Sequence, residues 1–168
     1  ITSRTSPRYK YSIEGGTGDY ARLGQTWSKP TVSSIKIGED TKKVLIFGGG
    51  YDPLQDSVNI RTPDTVGNSV FIVEASTGQK LFEISSNTNA NYVISEMKYG
   101  VPARVSVIDR DFDGLADHLY FGDMGGQLFR VDLYNGQTTS KLAVGKLLYS
   151  SSEDANIEKT RRFYNSPD

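Results

Sequence analysis

The sequence predicts an all-β fold made of short strands, and three observations carry this prediction. The chain has 168 residues, among them 17 glycines, ten tyrosines and six prolines. Tyrosine favours the half-buried surface of a sheet, whereas glycine and proline are the usual residues of turns. Runs rich in β-branched and aromatic residues alternate with turn residues along the chain. The third observation is an internal repeat of this alternation.

The repeat is marked by an aromatic residue three positions before a proline. The mark occurs at Trp27–Pro30, Tyr99–Pro102 and Tyr164–Pro167. Similar strand patterns follow the first two marks, which indicates two copies of one unit and the start of a third. The same spacing also predicts a repeated packing role for Trp27 and its equivalents.

The first unit is predicted to contain four strands in succession. Val32–Ile37 is the first strand, and Lys43–Gly48 is a second strand that ends in glycine. Ser69–Val73 is an apolar third strand. A turn and a fourth strand follow in Thr77–Phe82.

The second unit repeats this order. Its predicted strands are Ala103–Ile108, His118–Gly122 and Gln127–Val131, and a turn with a fourth strand is predicted in Asn135–Thr139. His118–Gly122 again ends in glycine. The repeated position of this glycine favours one structural unit used twice.

Each unit is longer than the roughly 40–50 residues of a four-stranded propeller blade, and polar segments account for the excess. Tyr51–Gly67, Ser85–Lys98 and Ser150–Thr160 are therefore predicted to be inserted loops, and the first two are the best candidates for binding a partner, since loops commonly carry function. Four-stranded units in series are typical of a β-propeller. A β-sandwich with strands that are similar by chance is the alternative.

Two units cannot close a ring of about four to eight blades, so we predict a single partial β-propeller region over residues 1–168. The predicted parts are the end of a preceding blade or a loop (1–23), a blade (24–84), an inserted loop (85–98), a blade with an acidic loop (99–149), and a linker with the start of the next blade (150–168).

The charge balance and residue content exclude several function classes. With 19 basic and 20 acidic side chains the net charge is -1, so no nucleic-acid partner is expected. Without cysteine the chain has no disulfide, zinc–thiolate site or cysteine nucleophile. No apolar run reaches the length of a transmembrane segment.

The acidic loop from Asp109 to Asp117 predicts a calcium site. Oxygen ligands fall at its positions 1, 3, 5, 7 and 9, and Gly114 at position 6 permits a sharp turn. It is not an EF-hand, because Tyr120 stands where the position-12 glutamate is expected and strands flank the loop. A solvated acidic turn is the alternative. The predicted Ca²⁺ ligands are the side chains of Asp109, Asp111, Asp113 and Asp117 and the carbonyl of Leu115.

No catalytic or organic cofactor-binding residues are predicted. His118 is the only histidine, and an edge position on a strand is expected for it. Gly48–Gly50 and Gly15–Gly18 match no phosphate-binding loop, so turn or bulge roles are expected. A second cation site at Asp52, Asp56 and Asp64 is disfavoured, because their spacing fits no compact loop.

Several stretches together resemble the C-terminal propeller of the PilY-type, tip-associated adhesins of type IV pili. The resemblance spans about Leu23 to Leu133, and the order in which its motifs follow one another makes it specific. It rests on Leu23–Pro30, Leu45–Asp52, Gly67–Val73, Ile108–Asp123 and Gly126–Leu133, with Arg161–Pro167 resembling the start of the next blade.

The resemblance implies a modified seven-bladed propeller with one calcium loop, located on the pilus tip or outer membrane, or in the periplasm, of a Gram-negative bacterium. It implies support of pilus extension, twitching motility and adhesion, with calcium controlling the balance between extension and retraction. Pilus or minor-pilin proteins are the implied partners, together with a host-cell or surface ligand. The chain has no Arg-Gly-Asp tripeptide for an integrin contact.

Two alternatives share the predicted architecture. Quinoprotein dehydrogenases are propellers with calcium and a quinone, but the loop here has the composition of a closed structural site, so the chain is not expected to be an enzyme. Calcium propellers of the integrin α-subunit kind repeat their loops in several blades. In this chain the equivalent position of the first unit is the short turn Gly38–Lys42.

Overall fold

A computed structural model describes residues 6–57, 62–151 and 161–167. Over these ranges the chain forms nine strands in two sheets and no α-helix, which confirms the all-β class. Short 3₁₀ turns occupy Gly18–Tyr20, Pro53–Ser57 and Thr139–Lys141. The described residues show no closed ring of blades, so the propeller stays a prediction.

The first sheet has five strands in sequence order. Neighbours are antiparallel except for the last strand, which runs parallel to the fourth. The strands are β1 Thr31–Ile37, β2 Asp40–Gly48, β3 Ser69–Glu74, β4 Lys80–Ser85 and β5 Tyr92–Val93. The segment 85–98, predicted as an inserted loop, therefore contributes a short strand to the sheet.

The second sheet has four antiparallel strands, also in sequence order. They are β6 Ser106–Ile108, β7 His118–Gly122, β8 Gln127–Leu133 and β9 Ala143–Ser150. The connection from β6 to β7 is the acidic loop. The extra loop Ser150–Thr160 lies outside the described residues from 152 onward.

The predicted fourth strand of the second unit was wrong. Asn135–Thr139 contains a turn, and the strand begins only at Ala143. The turn is held away from the sheet's ladder because the Gly136 amide donates to the Lys36 carbonyl of β1 at 2.9 Å. The predicted first strand Ala103–Ile108 is also shorter, since only Ser106–Ile108 pairs with β7.

The main hydrophobic core lies between the two sheets. Val44, Ile46 and Ile72 of the first sheet belong to one buried cluster with Phe121 and Phe129 of the second. All five are fully buried. Burial of this size is the main source of stability for an all-β domain, and it ties the two sheets into one body.

A second, smaller core covers the opposite face of the first sheet. Phe47, Phe71 and Val73 pack there with Leu23, and Tyr20 of the N-terminal segment contacts them. The Tyr20 and Phe71 rings are 5.5 Å apart. The Tyr20 hydroxyl donates to the carbonyl of Gly78 at 2.6 Å. The N-terminal segment therefore covers the face that the second sheet leaves open.

The sequence repeat extends to strand register. Phe47 pairs with Phe71 in the first sheet, and Phe121 pairs with Phe129 in the second. Phe47 and Phe121 each stand one residue before the glycine that ends their strand. Phe47 and Phe71 lie in the smaller core, whereas Phe121 and Phe129 lie in the core between the sheets. The face of the second sheet that carries Phe121 and Phe129 therefore points toward the first sheet, in the same direction as the face of the first sheet that carries Phe47 and Phe71. The two sheets are stacked as repeated layers.

The aromatic marks of the repeat occupy equivalent places. Trp27 stacks on Tyr51 with ring centroids 5.3 Å apart, and the Tyr99 ring lies over Gly125, where an added Cβ would be 2.1 Å from it. Each contacted residue stands three positions after a strand-ending glycine. The predicted packing role is thus seen in both units, although Trp27 keeps 62% of its surface exposed.

Candidate metal centre

The acidic loop is closed at its base by strand pairing. Ile108 at the end of β6 pairs with His118 at the start of β7. The Asp117 amide donates to the Ile108 carbonyl at 2.8 Å, and the Asp117 carbonyl accepts from the Leu133 amide at 2.7 Å. Both ends of the loop are therefore anchored in the second sheet.

Backbone amides inside the loop bind its carboxylates. The Gly114 amide donates to Asp109 Oδ2 at 2.9 Å, and the Arg110 amide donates to Asp117 Oδ2 at 2.7 Å. The Leu115 amide donates to Asp113 Oδ1 at 2.8 Å. These bonds wind the chain around the carboxylates.

Two residues of the loop adopt the left-handed backbone region. Gly114 has φ +89°, which glycine accepts without a Cβ penalty and which agrees with its predicted turn role. Phe112 has φ +63° and is 90% exposed. A positive φ is uncommon for a bulky residue, so the tight winding of the loop takes precedence over the local preference of Phe112.

Three of the four predicted carboxylate ligands come together. Asp109, Asp111 and Asp117 each place one oxygen within 4.8 Å of the others. Two oxygens bound to the same Ca²⁺ are at most about 5 Å apart, since each lies roughly 2.3–2.6 Å from the ion. The carboxylate of Asp113 is not in this group, although that residue belongs to the same loop.

One oxygen of the cluster has no hydrogen-bond partner. Asp109 Oδ1 is buried and unpaired, whereas Asp109 Oδ2 accepts the bond from Gly114. A buried carboxylate oxygen without a partner is costly, and native structures usually satisfy such atoms by a donor, a water or an ion. The spacing and this free oxygen together suit a hard cation.

A charged network lies beside the loop on β7 and β8. Asp132 Oδ1 is 2.6 Å from His118 Nδ1 and accepts from Arg130 Nε at 2.7 Å. Burial alone would raise the pKa of Asp132, but these two partners outweigh it and hold the pKa below its ordinary value. His118 is therefore hydrogen-bonded at the first residue of β7, a strand that is paired on both sides.

A polar cleft of about 480 Å³ separates the loop from this network. The cleft makes the outer side of the acidic cluster accessible to solvent. Its lining residues are Arg110, Asp111, Asp117, His118, Arg130, Asp132, Leu133 and Tyr134.

The second acidic set, in the inserted segment, forms no such cluster. Asp52 accepts from the amide and hydroxyl of Thr65 at 2.8 and 2.9 Å, Asp56 accepts from the Tyr51 hydroxyl at 2.5 Å, and Asp64 accepts from the Gly100 amide at 2.5 Å. Each carboxylate thus has its own donors.

The described part of the inserted segment is integrated into the fold rather than free. Asp52, Gln55 and Asp64 keep only 2%, 6% and 6% of their surface exposed. Sequence spacing could not reveal this burial, because the donors come from distant positions such as Gly100.

No helix in the part of the chain that the structure describes is long and apolar enough to cross a membrane.

The chain is similar to curated proteins of type IV pili. It is 30% identical over 129 residues to the type IV pilus biogenesis factor PilY1 of Pseudomonas aeruginosa strain PAO1, a match that covers 74% of this chain. It is also 30% identical over 115 residues to a PilY1 homolog of Xylella fastidiosa, covering 66% of this chain. The chain spans only 9% and 7% of these relatives' own lengths.

Among solved structures, the chain is similar to the C-terminal domain of Pseudomonas aeruginosa PilY1. The TM-score is 0.48 at 19% identity, and the match covers 83% of this chain and 28% of that one. No family model matches the chain.

Proposed function

We propose a calcium-binding role without catalysis for this chain, which belongs to the family of the type IV pilus biogenesis factor PilY1. In this proposal the chain is a β-propeller segment of such a factor. The sequence identity to two PilY1 proteins supports the pilus role. The acidic loop between β6 and β7 supports the calcium role. Calcium tunes a protein–protein contact in this proposal.

The buried, unpaired Oδ1 of Asp109 is the observation that carries the calcium proposal. It lies in a cluster whose other members, Asp111 and Asp117, bring two more oxygens within 4.8 Å. Without a cation these carboxylates repel one another, and Asp109 Oδ1 stays desolvated. A divalent cation removes both penalties.

The proposed ligand set is larger than the cluster. Calcium takes about six to eight oxygens, and three carboxylates supply fewer unless they bind bidentately. Asp113 and the Leu115 carbonyl therefore remain in the proposed set with Asp109, Asp111 and Asp117. Water molecules in the polar cleft complete the coordination shell of the ion.

Bound calcium would act by ordering the loop. Ion binding to the ordered loop stabilises that form by linkage, and the stabilisation grows with the logarithm of the calcium concentration above the Kd. If a pilus or minor-pilin partner prefers the ordered loop, calcium shifts the population that binds it. In this way the segment would support pilus extension, twitching motility and adhesion at the cell surface or pilus tip.

The non-catalytic role rests on how the candidate groups are used. The clustered carboxylates of the loop, which could otherwise serve as general bases, form the proposed metal site. A quinone-dependent oxidoreductase is the competing class, and dye-linked turnover with a quinone absorbance band would establish it instead.

A calorimetric calcium titration of metal-stripped protein tests the site. We expect saturable binding of about one ion per chain. Asp109→Asn, which keeps the shape and removes the charge, should weaken binding by at least about tenfold, a loss of roughly 1.4 kcal/mol.

Asp40→Asn is the matched control, since Asp40 is exposed in the β1–β2 hairpin and lies outside the cluster. It should bind calcium as the wild type does. Absence of heat in the wild type, or equal binding by Asp109→Asn, would contradict the proposed site.

The pilus role needs a separate test in cells. The matching segment of Pseudomonas aeruginosa PilY1 can be replaced by this chain, with and without Asp109→Asn, and surface pili counted. We expect the wild-type chimera to restore pili and the variant to lose their calcium dependence. A chimera that is present at normal levels but makes no pili would argue against the role.

A further inference from the structure

We infer that Asn135 couples the acidic loop of the second sheet to the edge of the first sheet, so that ion binding at the loop tightens the junction of the two sheets. The inference rests on the proposed calcium site. It assigns a positioning role to Asn135, which lies outside the predicted ligand set.

The first step concerns the free edge of β1. This strand pairs with β2 on one side only and therefore has a row of backbone groups facing away from the sheet. Those at Ser34 and Lys36, and the amide of Gly38 directly after the strand, are not left to solvent. The Ala116 amide donates to the Ser34 carbonyl at 2.8 Å, and the Gly38 amide donates to the Gln137 carbonyl at 2.9 Å.

Asn135 fills the gap between these two contacts. Its Oδ1 accepts from the Lys36 amide at 2.8 Å, and its Nδ2 donates to the Ala116 carbonyl at 2.9 Å. The next residue, Gly136, donates its amide to the Lys36 carbonyl at 2.9 Å. The side-chain amide thus substitutes for a peptide group in a strand-like ladder along β1.

This bridge reaches the metal centre through Ala116. Ala116 is fully buried and directly precedes Asp117, one of the three clustered carboxylates. The Ala116 amide is bonded across the junction to Ser34, and the Ala116 carbonyl is bonded to Asn135, which itself reaches across to Lys36. The position of Asp117 therefore depends on the contact with β1.

The chemistry of the bridge requires a side chain that both donates and accepts at this place. A side-chain amide offers both donors and an acceptor, whereas a carboxylate offers only acceptors. Asn135→Asp keeps the size but places an acceptor against the Ala116 carbonyl. It should break the link to the loop and leave all five predicted ligands unchanged.

Amide hydrogen exchange with and without calcium tests the coupling. Arg110 and Gly114 report on the loop, because their amides donate to Asp117 and Asp109. Lys36 and Gly136 report on the junction, because their bonds cross it. We expect calcium to slow exchange at both pairs in the wild type.

In Asn135→Asp we expect calcium binding to weaken by about tenfold, within the range usual for coupled sites, and Lys36 to lose its calcium-dependent protection. Asn89→Asp makes the same chemical change at an exposed position and should leave both readouts unchanged.

The outcomes separate this inference from the calcium proposal. Protection of Arg110 and Gly114 without protection of Lys36 and Gly136 would overturn the coupling and leave the calcium site standing. Unaltered affinity in folded Asn135→Asp would overturn the positioning role. No binding and no protection anywhere in the wild type would overturn the calcium site and the coupling together, without requiring any variant to fold.

Discussion

At the scale of single residues, Asp64 shows how a polar side chain of the inserted segment joins distant parts of the chain. Its carboxylate accepts from the Gly100 amide and from the Gln55 side chain, and its own amide donates to the Lys98 carbonyl at 2.8 Å. Burial raises the pKa of Asp64 from 3.8 to about 6, in spite of these donors. Asp52 adds to the rise and Arg162 opposes it.

The raised pKa of Asp64 predicts a specific pH dependence of stability. An acid whose pKa is higher in the folded state favours folding when protonated, so its contribution is present below pH 3.8 and is lost as the pH rises through about 6. Between these values the free energy of unfolding of the wild type should fall with rising pH, by no more than about 1.4 kcal/mol per pH unit from this group.

Urea unfolding of metal-free wild type and Asp64→Asn, at a series of pH values from about 4 to about 8, checks this. The difference between the two proteins isolates Asp64 from other titrating groups. A difference that does not change with pH would show that Asp64 keeps its ordinary pKa.

At the scale of elements, the strands differ in whether one face or both faces are buried. β3 is buried along Ser69–Val73, whereas β8 and β9 alternate between less and more exposed residues. A strand buried on both faces appears in a sequence as a continuous apolar run, which is why Ser69–Val73 was predicted with almost its observed bounds. The fourth strand of the second sheet lacks this signal, so its place was missed.

The shared core predicts a large cost for truncating a central strand. Phe129 of β8 is fully buried, and its ring stacks on Phe121 with centroids 5.4 Å apart. Phe129→Ala removes this ring from the core between the sheets and should lower the free energy of unfolding by about 3–5 kcal/mol. Both sheets should still unfold in one transition.

Phe112→Ala removes the same ring from a side chain that is 90% exposed. Without calcium it should change stability by no more than about 0.5 kcal/mol, measured by the same urea unfolding. Equal effects of the two substitutions would contradict the assigned core.

At the scale of the whole molecule, the strand-ending glycines explain how one unit follows another. A Cβ on Gly48 would lie 2.3 Å from the Val101 carbonyl, which belongs to the segment leading into the second sheet. A Cβ on Gly122 would lie 2.9 Å from the Phe163 side chain, in the segment after the second sheet. The repeated glycine therefore leaves room for the following segment to cross the strand end.

This crossing predicts graded effects of adding a methyl group. Gly48→Ala forces apart two backbone segments and should destabilise the protein by about 1–3 kcal/mol, as overpacking usually does. Gly122→Ala should cost less, because its closest contact, at 2.9 Å, is a smaller overlap than the 2.3 Å contact at Gly48. Thermal unfolding shows which of the two variants is less stable. A larger loss of stability in Gly122→Ala than in Gly48→Ala would refute this account of the repeat.

The sequence by itself determined the all-β class, most strand positions, the repeat and the loop that holds the candidate ligands. These features depend on local patterns: alternation, apolar runs, turn residues and closely spaced aspartates. The tight spacing of Asp109–Asp117 already brought the ligand types together, and the 30% identity to PilY1 agrees with the resemblance seen in the ordered motifs.

Only the tertiary structure decided which carboxylates of the loop converge and what the loop touches. The separation of Asp113 from the other three, the unpaired Asp109 Oδ1 and the bridge from Asn135 to Lys36 all depend on where distant backbone segments meet. The burial of Asp64 beside Gly100 has the same origin. Hydrogen bonds between residues far apart in sequence leave no periodic pattern, so the strand assignment could not reveal them.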